Sequence, residues 1–283
     1  MNHLFYWHGH KNVGDELSLY LTEKISNKKF IASHPPFTES TLSAIGSLLT
    51  YKILCPNLVV WGTGSLTESS LLPRPLKIFP LTHLLKDLKR HFSSHQPYIR
   101  AVRGPKTKEF LNKIGVKCPS IYGDPALLMP IFYNPKQIEH KYHSGIILHH
   151  SQTNIIDKSI LDSLGIRFIS IQREGNNEIE DFIDEICSCK TIFSSSLHGI
   201  ILAQSYGIPA QWIQITDHPI QNNSKHKFHD YFLGAGQIMQ EPVCLPLTTS
   251  ALTSLVQTTC PAKILPFRNI NHLLDSFPFD VLV

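Results

Sequence analysis

Short apolar runs alternate with amphipathic stretches along the chain. Leu4–Trp7, Leu58–Trp61 and Tyr98–Val102 read as buried strands. Between them, Asp15–Ile25 places Leu17, Leu21 and Ile25 four apart, the spacing of one helix face. Pro105–Ile114 is a second helix, with proline in its first turn. Ser120–Tyr122 then runs into Gly123-Asp124-Pro125, a strand end and turn. Asn134–His143 is polar and contains proline, and marks a linker. Beyond it, Gly145–Leu148, Arg167–Ile171, Thr191–Phe193 and Ala210–Ile215 read as strands. Helices are expected over Ile155–Leu164, Glu178–Cys187 and Gly199–Tyr206, with a last short one over Asn269–Leu274. Strands separated by helices imply parallel sheets covered on both faces. Two such series predict an α/β fold of two Rossmann-like domains facing a cleft, residues 1–140 and 141–283.

Composition narrows the partners. The chain has 283 residues, 42% hydrophobic and 17% charged. That charged share falls below the roughly 25% of an average soluble domain, which argues for a packed chain over a disordered one. The net charge is +4, with 16 histidines besides. This suits an anionic small molecule or an anionic membrane surface. No dense stripe of Lys and Arg points to nucleic acid. The six cysteines are sparse, and Cys187 and Cys189 lie too close together for a zinc-ribbon pair. They read as reduced thiols of a cytoplasmic protein. Met1–Trp7 lacks the marks of a signal peptide, and no run of about 18 apolar residues spans a membrane. The Leu72–Pro80 stretch and the basic His83–His95 segment read first as a solvated helix, the alternative being a face toward the inner membrane surface.

Ligands of open parallel sheets bind beyond the carboxyl ends of the strands. Small or polar residues follow six of the expected strands: His8 to Asp15, Gly62 to Ser65, Arg103-Gly104, Gly123-Asp124, His149-His150-Ser151 and Ser194 to Gly199. The last is the sharpest. Three serine hydroxyls precede an apolar helix whose first turn has free N–H groups, a ready anion site with His198 at its lip. The plainer reading is a serine cap with a histidine buried in the first turn. Asp15 is either a helix cap or a base, with Gly14 the point of close approach. Gly62-Thr63-Gly64-Ser65 lacks the third glycine of a dinucleotide fingerprint and reads as a tight turn, with Ser65 placed to touch substrate. Strand alternation puts Arg100 and Arg103 on opposite faces, and Arg103 is the better candidate for the cleft. His8 with His10, and His149 with His150, are conceivable metal pairs, but histidine is common in this chain and no metal is expected. Lys225-His226-Lys227-Phe228-His229-Asp230-Tyr231 either begins a solvated helix or supplies cations to a phosphate or carboxylate.

Five motifs occur in order: Asn12-Val13-Gly14-Asp15; Arg103-Gly104-Pro105 with Thr107; Tyr122-Gly123-Asp124-Pro125-Ala126; Ser196-Leu197-His198-Gly199 with Ala203 and Gly207-Ile208-Pro209; and Lys227-Phe228-His229-Asp230-Tyr231. Together, over residues 4 to 235, they resemble the polysaccharide pyruvyl transferase family, in particular its exopolysaccharide ketal pyruvyl transferases. The resemblance implies a GT-B-like fold, with the first domain on the acceptor side and the second on the donor side. It implies phosphoenolpyruvate as co-substrate, with no other cofactor, and a hexose with two free hydroxyls in a lipid-linked or nucleotide-linked cell-surface polysaccharide precursor. Family members often carry arginine where this chain has Ser196, so the resemblance asks Arg103, Lys225 or Lys227 to compensate.

Ketal formation needs an acid for the methylene carbon and a base for each hydroxyl. His198 is the expected acid and phosphate contact, with His150 a second candidate, and Asp15 or Asp124 the base. Ser195, Ser196 and Gly199 join the cations on the donor, and Asn12, Gly14, Gly64 and Ser65 face the acceptor. The competing readings are a nucleotide-sugar glycosyltransferase of the same architecture and a non-catalytic glycan-binding member.

Overall fold

The apolar runs collect into two five-stranded sheets, all parallel. The computed structural model describes residues 1–8, 11–67, 81–135, 140–220, 225–268 and 270–282, with backbone alone at 81–83. His10 and the 72–80 stretch lie outside the described residues. In the first half come β1 (Asn2–Leu4), α1 (Val13–Ser26), β2 (Phe30–Ala32), β3 (Thr41–Ser43), β4 (Leu58–Trp61), α2 (Leu81–Phe92), β5 (Tyr98–Ala101) and α3 (Pro105–Lys113). A 3-10 turn, Pro125–Leu128, and α4 (Met129–Phe132) lead to the second half. There the chain forms β6 (Tyr142–Ile147), α5 (Lys158–Ser163), β7 (Ile166–Phe168), α6 (Asn176–Cys187), β8 (Cys189–Ser194) and α7 (Leu197–Ser205). It continues through β9 (Ala210–Ile215), α8 (Lys225–Ala235), β10 (Val243–Leu245), α9 (Thr249–Thr258) and α10 (Ile270–Asp275).

The sheet orders are β2-β1-β3-β4-β5 and β7-β6-β8-β9-β10. Counting each sheet's own strands, both are 2-1-3-4-5, the order of a doubly wound fold whose direction reverses between its first and third strands. Two Rossmann-like units face a cleft.

The two units share a core. Val13, Leu17 and Leu21 of α1 belong to one buried cluster with Phe182 and Ile183 of α6 and Ile200 of α7. The outer faces have clusters of their own, Val60 with Phe92 and Leu111 in the first half, Phe193 with Ile213 and Leu252 in the second. Polar bonds pin the seam. The Val13 N–H donates to the Ile171 carbonyl at 3.0 Å, Tyr20 Oη to Glu180 at 2.7 Å and Tyr133 Oη to Asp184 at 2.7 Å. The chain also returns: Trp61 Nε1 donates to the Leu273 carbonyl at 2.8 Å, and Phe277 packs edge-on against the same indole. Helix α10 follows the second sheet in sequence but covers the first.

At the crossing of α3 and α8, backbone meets backbone. A Cβ on Gly104 would lie 1.9 Å from the Asp230 carbonyl oxygen, and one on Gly234 would lie 2.1 Å from that of Arg103. Only hydrogen fits at either position. Asp230 is fully buried there and accepts from the Thr107 N–H at 3.1 Å and the Thr107 hydroxyl at 2.7 Å.

Local chemistry accounts for where the elements depart from the apolar pattern. Strand pairing to β2 and β3 ends at Leu4, so Phe5 to Trp7 form the loop that leaves the sheet edge. The helix expected from Ile155 starts at Lys158, because the Asp157 carboxylate caps it by accepting from the Ser159 N–H at 2.9 Å. The strand expected over Arg167–Ile171 is Ile166–Phe168, the part paired to β6. Val102 and Tyr122 form an isolated bridge instead of extending strands.

Candidate active site

The loops that follow the paired first and third strands of the two sheets meet across a cavity of about 840 Å³. Trp7, Asn12 and Asp15 come from the end of β1, and Gly46 and Ser47 from the end of β3. His149 and His150 follow β6, and Ser196 and His198 follow β8. The carboxyl-end crevices of both sheets, where open α/β sheets hold ligands, therefore open into one space.

The serine run divides by role. Ser194 Oγ donates toward the Ile147 and Ser196 carbonyls, both at 2.9 Å. Ser195 Oγ donates to Gln152 at 2.7 Å and accepts from the His149 N–H at 2.9 Å. These two hydroxyls hold the turn together. Ser196 is the N-cap of α7, yet its side chain makes no capping bond and lines the cavity. The first-turn N–H groups of α7 have no helical acceptor, and the positive end of the helix dipole adds to them.

Lys227, from the first turn of α8, lines the same cavity while only 8% exposed. No acidic partner for it occurs among the described residues. Burial, with the Arg103 guanidinium nearby, pushes its ammonium down to about 8. His149 beside it is held down to about 3 by burial, Lys227 and His150, so its ring is neutral at physiological pH. Its Nδ1 lies 2.9 Å from Ser151 Oγ and faces the Ser151 N–H at 3.4 Å. Accepting both assigns the ring proton to Nε2. The wall from the second sheet thus combines a helix N-terminus, a hydroxyl and a buried cation, a set suited to an oxyanion.

His198 stands where the two halves touch. An ideal Cβ on Gly14 would fall 2.0 Å from His198 Nδ1, so the imidazole rests on the bare backbone of α1. Behind it, Asp124 Oδ2 lies 3.7 Å from His198 Nε2, too long for a hydrogen bond and close enough for charge attraction. Asp124 is fully buried, and its Oδ1 accepts from the Ala126 N–H at 3.1 Å. It is therefore placed behind the imidazole and not in the cavity, which corrects its assignment as a base acting on substrate. Asn12, not Asp15, caps α1, accepting from the Gly14 N–H at 3.3 Å. Its amide donates to Asp15 Oδ2 at 2.6 Å, and both side chains line the cavity.

Other expected site residues lie elsewhere. Arg103 is fully buried: it donates to Ser47 Oγ at 2.7 Å and the Ser65 carbonyl at 2.6 Å, and its Nε sits 3.3 Å from Asp230 Oδ2, misaligned for a hydrogen bond. Its charge is consumed within the protein, so it does not line the cavity. Lys225 is exposed and paired with Glu241, pointing away. Ser65 is buried against His226 Nε2 at 2.8 Å, and Gly64 makes room for the Arg103 guanidinium. Gly199 lets α7 close on Ser194 and Ile147. Of the donor-side set, Ser196 and Lys227 reach the cavity, with exposed His150 at its edge.

Trp7, Ser47, His149, Asp217 and His218 line the cavity without having been assigned roles from the sequence. A signal for His149 existed, since it follows an expected strand. Ser47 had none, because Thr41–Ser43 carries no apolar run. Among the described residues, no three His, Cys, Asp or Glu side chains gather as a metal site would require. No helix among them is long and apolar enough to cross a membrane.

Comparison with known proteins agrees with the motif order. The family model for polysaccharide pyruvyl transferases matches residues 12–215. An uncharacterised protein of Acanthamoeba polyphaga mimivirus is 28% identical over 234 residues, 78% of this chain and 69% of that protein. The succinoglycan biosynthesis protein ExoV of Rhizobium meliloti (strain 1021) is 26% identical over 261 residues, 87% of this chain and 69% of its own length. Among solved structures, the wall teichoic acid polymerase TagF aligns over 91% of this chain and 78% of its own, at 8% identity and a TM-score of 0.44.

Proposed function

Because the chain belongs to the polysaccharide pyruvyl transferase family, we propose that it moves the pyruvyl unit of phosphoenolpyruvate onto two hydroxyls of a hexose in a cell-surface polysaccharide precursor. The observation that carries the donor is Lys227: a buried cation, without an acidic partner among the described residues, facing the same cavity as the amino end of α7. Phosphoenolpyruvate brings a phosphate and a carboxylate, and its charge offsets the burial of that ammonium. Lys227 thereby takes the part of the arginine that Ser196 replaces.

In the reaction the methylene carbon gains a proton, a hydroxyl oxygen bonds to the neighbouring carbon, and the carbon–oxygen bond to phosphate breaks. A second hydroxyl then closes the ketal. One hydroxyl proton balances the new methyl group and the other leaves with phosphate. His198, on the cavity wall with Asp124 behind it, is the acid. Asp15, which lines the same cavity from the first sheet's side, is the base for the attacking hydroxyl. The α7 N–H groups and Lys227 hold the charge that collects on the departing phosphate.

The test is incubation of purified protein with phosphoenolpyruvate and a panel of hexose acceptors. Phosphate release is followed in parallel with the mass of the sugar. The expected result is phosphate release matched by a mass gain of one pyruvate less one water. Release of a nucleoside diphosphate from nucleotide sugars, with phosphoenolpyruvate untouched, would overturn the proposal.

A further inference from the structure

Three tryptophans occur in the chain, and two are core residues: Trp61 is 0% and Trp212 1% exposed. Trp7 is 54% exposed, in the loop leaving β1, and lines the cavity from the first sheet's side. A large apolar surface held open to water inside a polar cleft is a feature of binding sites more than of folding.

The groups around it divide the cavity by charge. The wall from the second sheet carries Lys227, the α7 amino end and the imidazole rings of His149 and His198, with a carboxylate only at exposed Asp217, which already accepts from the Leu247 N–H. The wall from the first sheet carries Asp15, the Asn12 amide and the Ser47 hydroxyl. An anionic donor is attracted to the first of these walls and repelled by the carboxylate of the second. The side left for a neutral ligand has a flat aromatic face bordered by amide, carboxylate and hydroxyl groups. A pyranose ring complements that combination, with one face of axial C–H groups and a rim of hydroxyls.

We propose that Trp7 is the platform on which the acceptor's pyranose ring stacks, and that Asn12 and Asp15 take hydroxyls at its rim. This rests on the reading of the chain as a pyruvyl transferase, and it assigns the neutral half of the site. Stacking fixes the plane of the ring. Trp7 is then a specificity-determining residue that favours hexoses with an unbroken apolar face.

Because Trp61 and Trp212 are buried, quenching of tryptophan fluorescence by acrylamide reports on Trp7. The probes are methyl β-D-glucopyranoside, methyl β-D-galactopyranoside and methyl β-D-mannopyranoside, each titrated without phosphoenolpyruvate. At least one is expected to shield Trp7 from the quencher. Trp7→Ala, compared by circular dichroism to verify folding, is expected to lack the accessible fluorophore. It should raise the KM for the shielding hexoside, or for the acceptor found active, by about tenfold, leaving the KM for phosphoenolpyruvate unchanged. Trp7→Phe is expected to restore most of the loss. Shielding by none of the three hexosides, or an unchanged acceptor KM in Trp7→Ala, overturns the proposal. Shielding without turnover of phosphoenolpyruvate would instead leave the platform standing and refute the reading of the reaction.

Discussion

Replacing Lys227 by methionine keeps an unbranched side chain, one atom shorter, and removes its charge. Two effects of opposite sign follow. With donor bound, the variant lacks the buried cation proposed to face it. Two unit charges about 4 Å apart at an effective dielectric constant of about 20 attract by about 4 kcal/mol. Truncating one partner of a desolvated pair costs about 2–5 kcal/mol. The KM for phosphoenolpyruvate should therefore rise on the order of a hundredfold or more. Without donor the sign reverses. The ammonium is held down to about 8 by burial and by Arg103, so carrying it into the ligand-free fold costs about 3 kcal/mol at neutral pH. The methionine variant should melt about 5 °C higher. Between pH 8 and the ordinary lysine value near 10.5, the unfolded chain keeps a proton that the folded one has lost. Wild-type stability should rise through that window and close the gap with the variant. Donor affinity of the wild type should weaken above about pH 8, a dependence the variant lacks. Differential scanning fluorimetry across pH, with and without phosphoenolpyruvate, and steady-state kinetics measure all of these. A variant that melts below wild type without donor, or one whose donor KM is unaltered, refutes the reasoning.

Other perturbations separate packing from chemistry. Gly14→Ala puts a methyl group 2.0 Å from His198 Nδ1, so the ring must move; kcat should fall about a hundredfold and stability by about 1–3 kcal/mol, checked by kinetics and chemical denaturation. Asp124→Asn removes the charge behind His198; kcat should fall about a hundredfold with the KM for phosphoenolpyruvate nearly unchanged. Equal losses in both constants would place Asp124 in donor binding instead. Asp230→Ala strips the fully buried Arg103 of its counter-charge and should destabilise by about 3–5 kcal/mol in urea denaturation, while Arg103→Met with Asp230→Leu should lose less.

Strands with a continuous apolar run were legible from the sequence, and Leu58–Trp61 and Ala210–Ile215 have their expected ends. Three strands of only three residues each were not. Phe30–Ala32, Thr41–Ser43 and Val243–Leu245 acquire their conformation by pairing to neighbours far away in sequence. The reading of the site failed in a parallel way. Alternation along β5 separates Arg103 from Arg100, but it carries no information that α8 will lay Asp230 against the guanidinium. Ser195 and Ser196 are adjacent and chemically equal, and only the approach of Gln152 decides which one stays turned to the cavity. Lys227 was legible as one lysine of a basic cluster. What separates it from Lys225 is helix phase, which turns one inward and leaves the other to Glu241.

The contact of Gly104 with Asp230 and of Gly234 with Arg103 limits how this protein can be recombined. A chimaera taking residues 1–140 from one relative and the rest from another inherits one glycine from each parent. It assembles only if both parents left those positions without a side chain. Compensation by a second substitution is ruled out, because the obstacle at each glycine is a main-chain carbonyl that every residue carries. The two halves, though alike in strand order, are therefore not interchangeable modules: they form a matched pair joined by two hydrogen-sized gaps some 130 residues apart in the chain.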